Sequence, residues 1–243
     1  MKKAVLATRG RTGSTAVVDE LGKIPRCWST QEPFAEAFDL TYHAFPPLKE
    51  WVRSAPDVAK PLDGPRLAEA YLQAMEEVAR DAGGAALFFK VLSNHFTERD
   101  YLADLLTRHG YSAIYLKRRP ARQVISGLVA NERNLYNTQE RFRDEKKYRI
   151  DVEAFRWHVN WERTSTENDL DFLRSQGFPL VEVDYETYLA DRAAFFGPVF
   201  DHLGLPPAVP PPSKFLVMIE DLSATIENYD EIRDAALDLG DPL

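Results

Sequence analysis

Short, nearly unbroken apolar runs alternate along this chain with stretches spaced for helices. "KAVLAT" (3–8), "LFFKVL" (87–92), "YSAIYLK" (111–117) and "PLVEVDY" (179–185) are each too short for a stable helix. They predict strands buried on both faces. Apolar residues at helical spacing fill "STAVVDELGK" (14–23) and the intervals 65–82, 97–108, 120–134 and 151–176. Strands alternating with helices predict an α/β three-layer sandwich. Its central, mostly parallel sheet carries helices on both faces and is crossed right-handed. The stretch 24–64 breaks this rhythm with Pro25, Pro33, Pro46, Pro47, Pro56 and Pro61. It reads as an insertion of short helices over one end of the sheet, within a single domain spanning 1–243. "LPPAVPPPSK" (205–214) reads as extended chain.

Composition narrows the function. The formal charge of −8 opposes sequence-blind nucleic-acid binding, which needs a basic surface. Cys27 is the one cysteine, so no internal disulfide can form and a reducing, cytoplasmic setting is expected. No Cys/His cluster has zinc spacing, and the apolar run after Lys2–Lys3 is too short for a secretory signal.

The candidate chemistry lies at two strand ends. After the first strand comes "TRGRTGST" (8–15), then a helix. Helix-start amides and the helix dipole favour an anion there. Gly10 and Gly13 permit close approach, Ser14 and Thr15 add hydroxyl donors, and Arg11 adds a planar fork suited to phosphate or sulfate. The lysine of G-x-x-x-x-G-K-[ST] is missing. The plainer reading is a glycine turn with a surface arginine. The second turn, "LKRRPARQVIS" (116–126), crowds Lys117, Arg118, Arg119 and Arg122 at a helix that Pro120 begins. Ser126 can face the same end. The plainer reading here is a solvated basic helix start. Both turns fall at carboxyl ends of strands, where open α/β sheets bind ligands.

"RTGST" with "RRPARQVIS" resembles the sulfotransferases that use 3′-phosphoadenosine-5′-phosphosulfate (PAPS), a family with a P-loop NTPase-like fold. The layout "STQEPF" (29–34) is similar to the bacterial trehalose-sulfotransferase-like, carbohydrate-type branch. The resemblance implies that Arg11, Thr12, Gly13, Ser14 and Thr15 hold the 5′-phosphosulfate. Arg118 and Ser126 would hold the 3′-phosphate. It implies a sulfuryl donor whose product is adenosine 3′,5′-bisphosphate (PAP), no metal, a carbohydrate or small-metabolite acceptor, and scope for a homodimer. It offers two general bases: Glu32, by the bacterial layout, and His95, after "LFFKVL". Lys90 would help hold the sulfuryl group. Plainer uses are a first-turn glutamate for Glu32, a helix cap for His95 and a strand-end lysine for Lys90.

The chain departs from the family pattern at Arg119 and Arg122, and the Arg-Lys-Gly segment of the eukaryotic branch is missing. Trp157 and Trp161, four apart, share a helix face. Core packing is the expected use, with sugar stacking as the alternative. Two rival functions remain open at this point. One is a P-loop kinase-like NTP-dependent transferase. The other is a non-catalytic nucleotide-binding or scaffold protein of the same fold.

Overall fold

The computed structural model describes residues 1–34, 48–59, 62, 64–93, 99–139 and 146–243. Five strands, β1 (Lys2–Thr8), β2 (Cys27–Thr30), β3 (Ala86–Leu92), β4 (Ser112–Lys117) and β5 (Leu180–Asp184), form one sheet in the order β2-β3-β1-β4-β5. Every pairing is parallel. This is the three-layer α/β sandwich that the apolar runs predict.

Alternation along β1 divides the core. Val5 and Ala7 point to one face, with Leu87 and Phe89 of β3 beside them. On that face pack α4 (Gly64–Asp81), through Tyr71, Leu72 and Met75, and α5 (Arg99–Arg108), through Leu102, Leu105 and Leu106. Ala4, Leu6, Phe88 and Ile114 point to the other face. There they meet Val17, Val18 and Leu21 of α1 (Ser14–Leu21) and the phenylalanines of α9 (Arg192–Leu203). Beyond the sheet lies a third apolar cluster. It joins α6 (Pro120–Arg133), the first half of α7 (Val152–Ser175) and α11 (Tyr229–Asp238), through Ile125, Val129, Phe155, Val159 and Ile232.

Three details position the site. The chain leaves β1 through α1 to β2, on the far side of β3, whereas β4 adds to the opposite edge of β1. Thr8 and Leu116 are paired at the ends of β1 and β4, so the two basic turns emerge side by side at the switch point. The edge strand β2 falls inside the stretch 24–64, where the sequence pattern places no strand. Lastly, β5 leads directly into α8 (Tyr185–Ala190), which brings Tyr185 against the first turn.

Candidate functional site

The first turn is built by hydroxyls and a left-handed glycine. Thr8 Oγ1 donates to the Leu116 carbonyl at 2.8 Å, which locks the end of β1 to β4. Thr12 turns inward, 2.6 Å from Thr8 Oγ1 and 3.1 Å from the Arg9 carbonyl. It is 2 % exposed, so its hydroxyl shapes the turn rather than facing the cleft. Gly13 sits at φ +82°, and a Cβ there would overlap the Tyr185 ring. Glycine is therefore required twice over, by conformation and by space. No side chain caps α1 among the described residues, so its first amides are open to an anion.

The second turn meets the first through side chains. Arg118 donates to the Arg11 carbonyl at 2.7 Å, with its guanidinium 4.8 Å from the Tyr185 ring centre. Arg11 has φ +68°, an uncommon left-handed conformation for a side chain of this size. Its guanidinium donates to Ser126 Oγ at 3.2 Å and to the Tyr136 carbonyl. Among the described residues, neither Arg11 nor Arg118 pairs with a carboxylate, and the Nε of each is buried without a partner. Burial pushes Arg11 down to about 10, and neighbouring Arg118 adds to the fall. Burial also lowers Arg118, against the opposing influence of Tyr185 and Glu186, with Arg122 adding a smaller push downward. Two desolvated cations side by side are an electrostatic cost that a bound dianion removes.

The four cations of the second turn do not all gather there. Lys117 lies 3.0 Å from Glu182 and 3.7 Å from Asp184, and Arg119 is exposed and reaches the Pro242 carbonyl. Arg118 and Arg122 line the cleft. The start of α6 is already occupied: Asp241 accepts from the Ala121 amide at 2.7 Å, and Glu186 from the Arg119 amide at 3.2 Å. The helix terminus is thus not free, and what this turn presents to the cleft is the side chains of Arg118, Arg122 and Ser126.

On the other side of α1 lies a buried ion pair. Lys90 Nζ is 2.7 Å from Glu32 Oε1 and donates to Thr15 Oγ1 at 3.1 Å. Gln31 fastens this loop, its side-chain amide donating to the Thr15 carbonyl at 3.2 Å and its own carbonyl accepting from the Lys90 amide at 2.7 Å. Burial lowers Lys90, Glu32 opposes this and Arg11 adds to it. Arg11, Ser14, Thr15, Arg118, Ser126, Lys90 and Glu32 all line one cleft of about 1160 Å³, roomy enough for a nucleotide and a second substrate. His95 falls outside the described residues.

Several contributors escape a motif-based reading. Glu162 of α7 accepts from Arg9 Nε at 2.6 Å and from Gln123 Nε2 at 3.1 Å. Gln123 also donates to the Gly10 carbonyl at 2.8 Å. Asp169 lies 3.6 Å from Arg9 and accepts from the Tyr115 hydroxyl at 3.1 Å. This network grips the first turn from beneath. The segment Pro212–Ile219 lines the opposite rim, and Glu20 anchors it by accepting from the Ser213 amide at 2.7 Å. Trp157 and Trp161 are not core residues, being 60 % and 45 % exposed. Among the described residues no group of His, Cys, Asp and Glu has a metal-holding arrangement, and no helix is long and apolar enough to cross a membrane.

A sulfotransferase family model matches residues 9–210, from the first turn through α9. Distant structural likeness runs across the chain. A sulfotransferase from Alicyclobacillus acidocaldarius shares 14% identity, over 98% of this chain and 95% of that one, at a TM-score of 0.48. The sulfotransferase domain of the Synechococcus PCC 7002 olefin synthase shares 14% identity, over 100% and 96%, at 0.49. That of the curacin biosynthetic pathway shares 15%, over 100% and 99%, at 0.47. No curated protein sequence matches the chain.

Proposed function

The chain belongs to the sulfotransferase family, and we propose that it moves a sulfuryl group from PAPS to an acceptor hydroxyl. One observation carries this reading. Two half-buried guanidiniums, Arg11 and Arg118, lie beside a helix start that no side chain caps, and among the described residues neither forms an ion pair with a carboxylate. Such a site suits a ligand with two separated anionic groups.

In this reading the amides of Ser14 and Thr15 and the Arg11 guanidinium bind the 5′ side of the donor. Arg118 and Ser126 bind its 3′-phosphate. When the acceptor oxygen bonds to sulfur, the bond from sulfur to the bridging oxygen breaks, and charge grows on the departing bisphosphate. Fixed donors already aimed at that charge lower the barrier without reorganising. Lys90 is held between Glu32 and Thr15, and in this reading it contacts the sulfuryl oxygens. Glu32 accepts the acceptor's proton, a step typically worth about 10²–10⁴ in rate. Nothing in this scheme requires a metal, because positioning and fixed positive charge supply the stabilisation.

Calorimetric titration with PAP, with Mg-ATP as control, tests the reading. Magnesium-independent PAP binding that Arg118→Ala weakens is the expected result. Binding of Mg-ATP without binding of PAP would overturn it in favour of a kinase-like transferase, and silence toward both would point to a non-catalytic protein.

A further inference from the structure

The first half of α7 is turned so that its two faces have opposite characters. Phe155 and Val159 are fully buried in the cluster shared with α6 and α11. Trp157 lies two residues beyond Phe155, about 200° further round the helix. It therefore points away from that cluster. The outward stripe then runs Trp157, Trp161, Thr164, Asn168, at i, i+4, i+7 and i+11, and all four are exposed. The indoles lie nearly parallel, 10° apart in plane, with centres 6.2 Å apart.

The stripe adjoins the proposed transfer site. Trp161 lines the cleft together with Glu162, Lys90 and Glu32. Arg9, 6 % exposed and held by Glu162, places its guanidinium 4.5 Å from the Trp161 ring centre and fixes that ring by a cation–π contact. Two large aromatics left in water are costly unless something covers them.

We propose that this stripe is the acceptor platform of the cleft and that it takes a neutral oligosaccharide. The proposal rests on the sulfuryl-transfer reading and names the acceptor class for it. Indole faces receive the C–H face of a sugar ring, while Thr164 and Asn168 offer a hydroxyl and an amide to its hydroxyls. The four positions carry no charge, and the exposed residues that continue the face at either end, Glu153 and Asp171, are acidic and disfavour an anionic ligand. The one cation at the stripe, Arg9, is buried and already paired with Glu162, so it is not free for an anionic polymer. An anionic membrane surface is repelled by a chain of net charge −8.

The test uses the whole chain, fluorescently labelled and saturated with PAP, on an array of immobilised neutral and anionic oligosaccharides. 4-Nitrophenol is titrated separately, as a single-ring acceptor. Selective retention by neutral glycans is expected, falling roughly tenfold in Trp157→Ala and Trp161→Ala, as truncation of an aromatic anchor does. PAP affinity stays unchanged in Trp157→Ala, which touches neither the cleft nor Arg9. PAP binding with retention by anionic glycans alone, or with 4-nitrophenol alone bound, overturns the platform and leaves the donor reading intact. Tryptophan-dependent glycan retention without PAP binding overturns the donor reading and leaves the platform. A sedimentation shift from dimer to monomer in the variants, with no glycan retained by the parent, makes the stripe a contact between copies and overturns the proposal.

Discussion

The Arg118 guanidinium donates to the main-chain carbonyl of Arg11 at 2.7 Å, across a sequence separation of 107 residues. One basic turn thereby holds the other in shape. The bond also explains how Arg11 is kept at φ +68°, which an unsupported arginine rarely adopts. The two turns are thus parts of one site, and each change at Arg118 is felt at both.

Replacing Arg118 should act on ligand binding more than on folding. The unliganded site holds two desolvated cations side by side, so loss of one relieves repulsion even as it removes a hydrogen bond. PAP affinity is expected to fall roughly ten- to a hundredfold, the range for losing a charge-assisted bond. The same contrast should appear in melting curves. At PAP concentrations near 100 times Kd the parent gains about 2.7 kcal/mol of stability. Arg118→Ala at the same PAP concentration should gain much less, while the two unliganded proteins melt close together.

Gly13→Ala should abolish the site. The new Cβ would overlap the Tyr185 ring, and the residue would have to keep φ +82°. Backbone strain alone costs about 1–3 kcal/mol. Pairing it with Tyr185→Ala removes the overlap but not the strain, so urea midpoints should recover only in part. PAP binding measured on both variants should remain impaired.

Sequence pattern makes the sheet legible for a physical reason. Strands buried on both faces must be apolar throughout, so β1, β3 and β4 stand out. β2 does not, because "CWST" buries its Ser29 hydroxyl by donating to the Val18 carbonyl at 2.9 Å. A buried polar group satisfied by a distant carbonyl leaves no local trace. The same holds for the grip on the first turn, where Glu162 and Arg9 are 153 residues apart. The tryptophans show the converse. Their spacing gives the shared face correctly, but only the packing of Phe155 and Val159 settles that this face is the outer one.

Glu162 should behave as a positioning residue for the phosphate turn. Glu162→Ala removes the acceptor of Arg9 Nε and of Gln123, the side chain that holds the Gly10 carbonyl. We expect the donor KM to rise roughly tenfold with the acceptor KM little changed, about the loss of one charge-assisted bond. Glu162→Gln keeps an oxygen at that point and should restore most of the donor affinity. Equal damage from both variants would place the effect in the carboxylate charge rather than in the geometry of the turn.

The Lys90–Glu32 pair ties chemistry to stability. Removing one partner of a buried pair leaves the other charge uncompensated, at a typical cost of about 3–5 kcal/mol. Glu32→Ala should therefore lower both turnover and the melting temperature. Glu32→Gln, which keeps shape and hydrogen bonding, separates the two effects. If Glu32 is the proton acceptor, the Gln variant binds PAP normally and loses about 10²–10⁴ in kcat. Near-normal turnover in both variants, with turnover lost in His95→Ala, would transfer the role to His95. The lysine adds a pH signature. Burial holds Lys90 below its ordinary value of 10.5, so between its folded value and 10.5 the unfolded chain binds more protons than the folded one. Stability from this group consequently rises with pH across that window. Urea midpoints for the parent should carry that slope, and Lys90→Met should lose it.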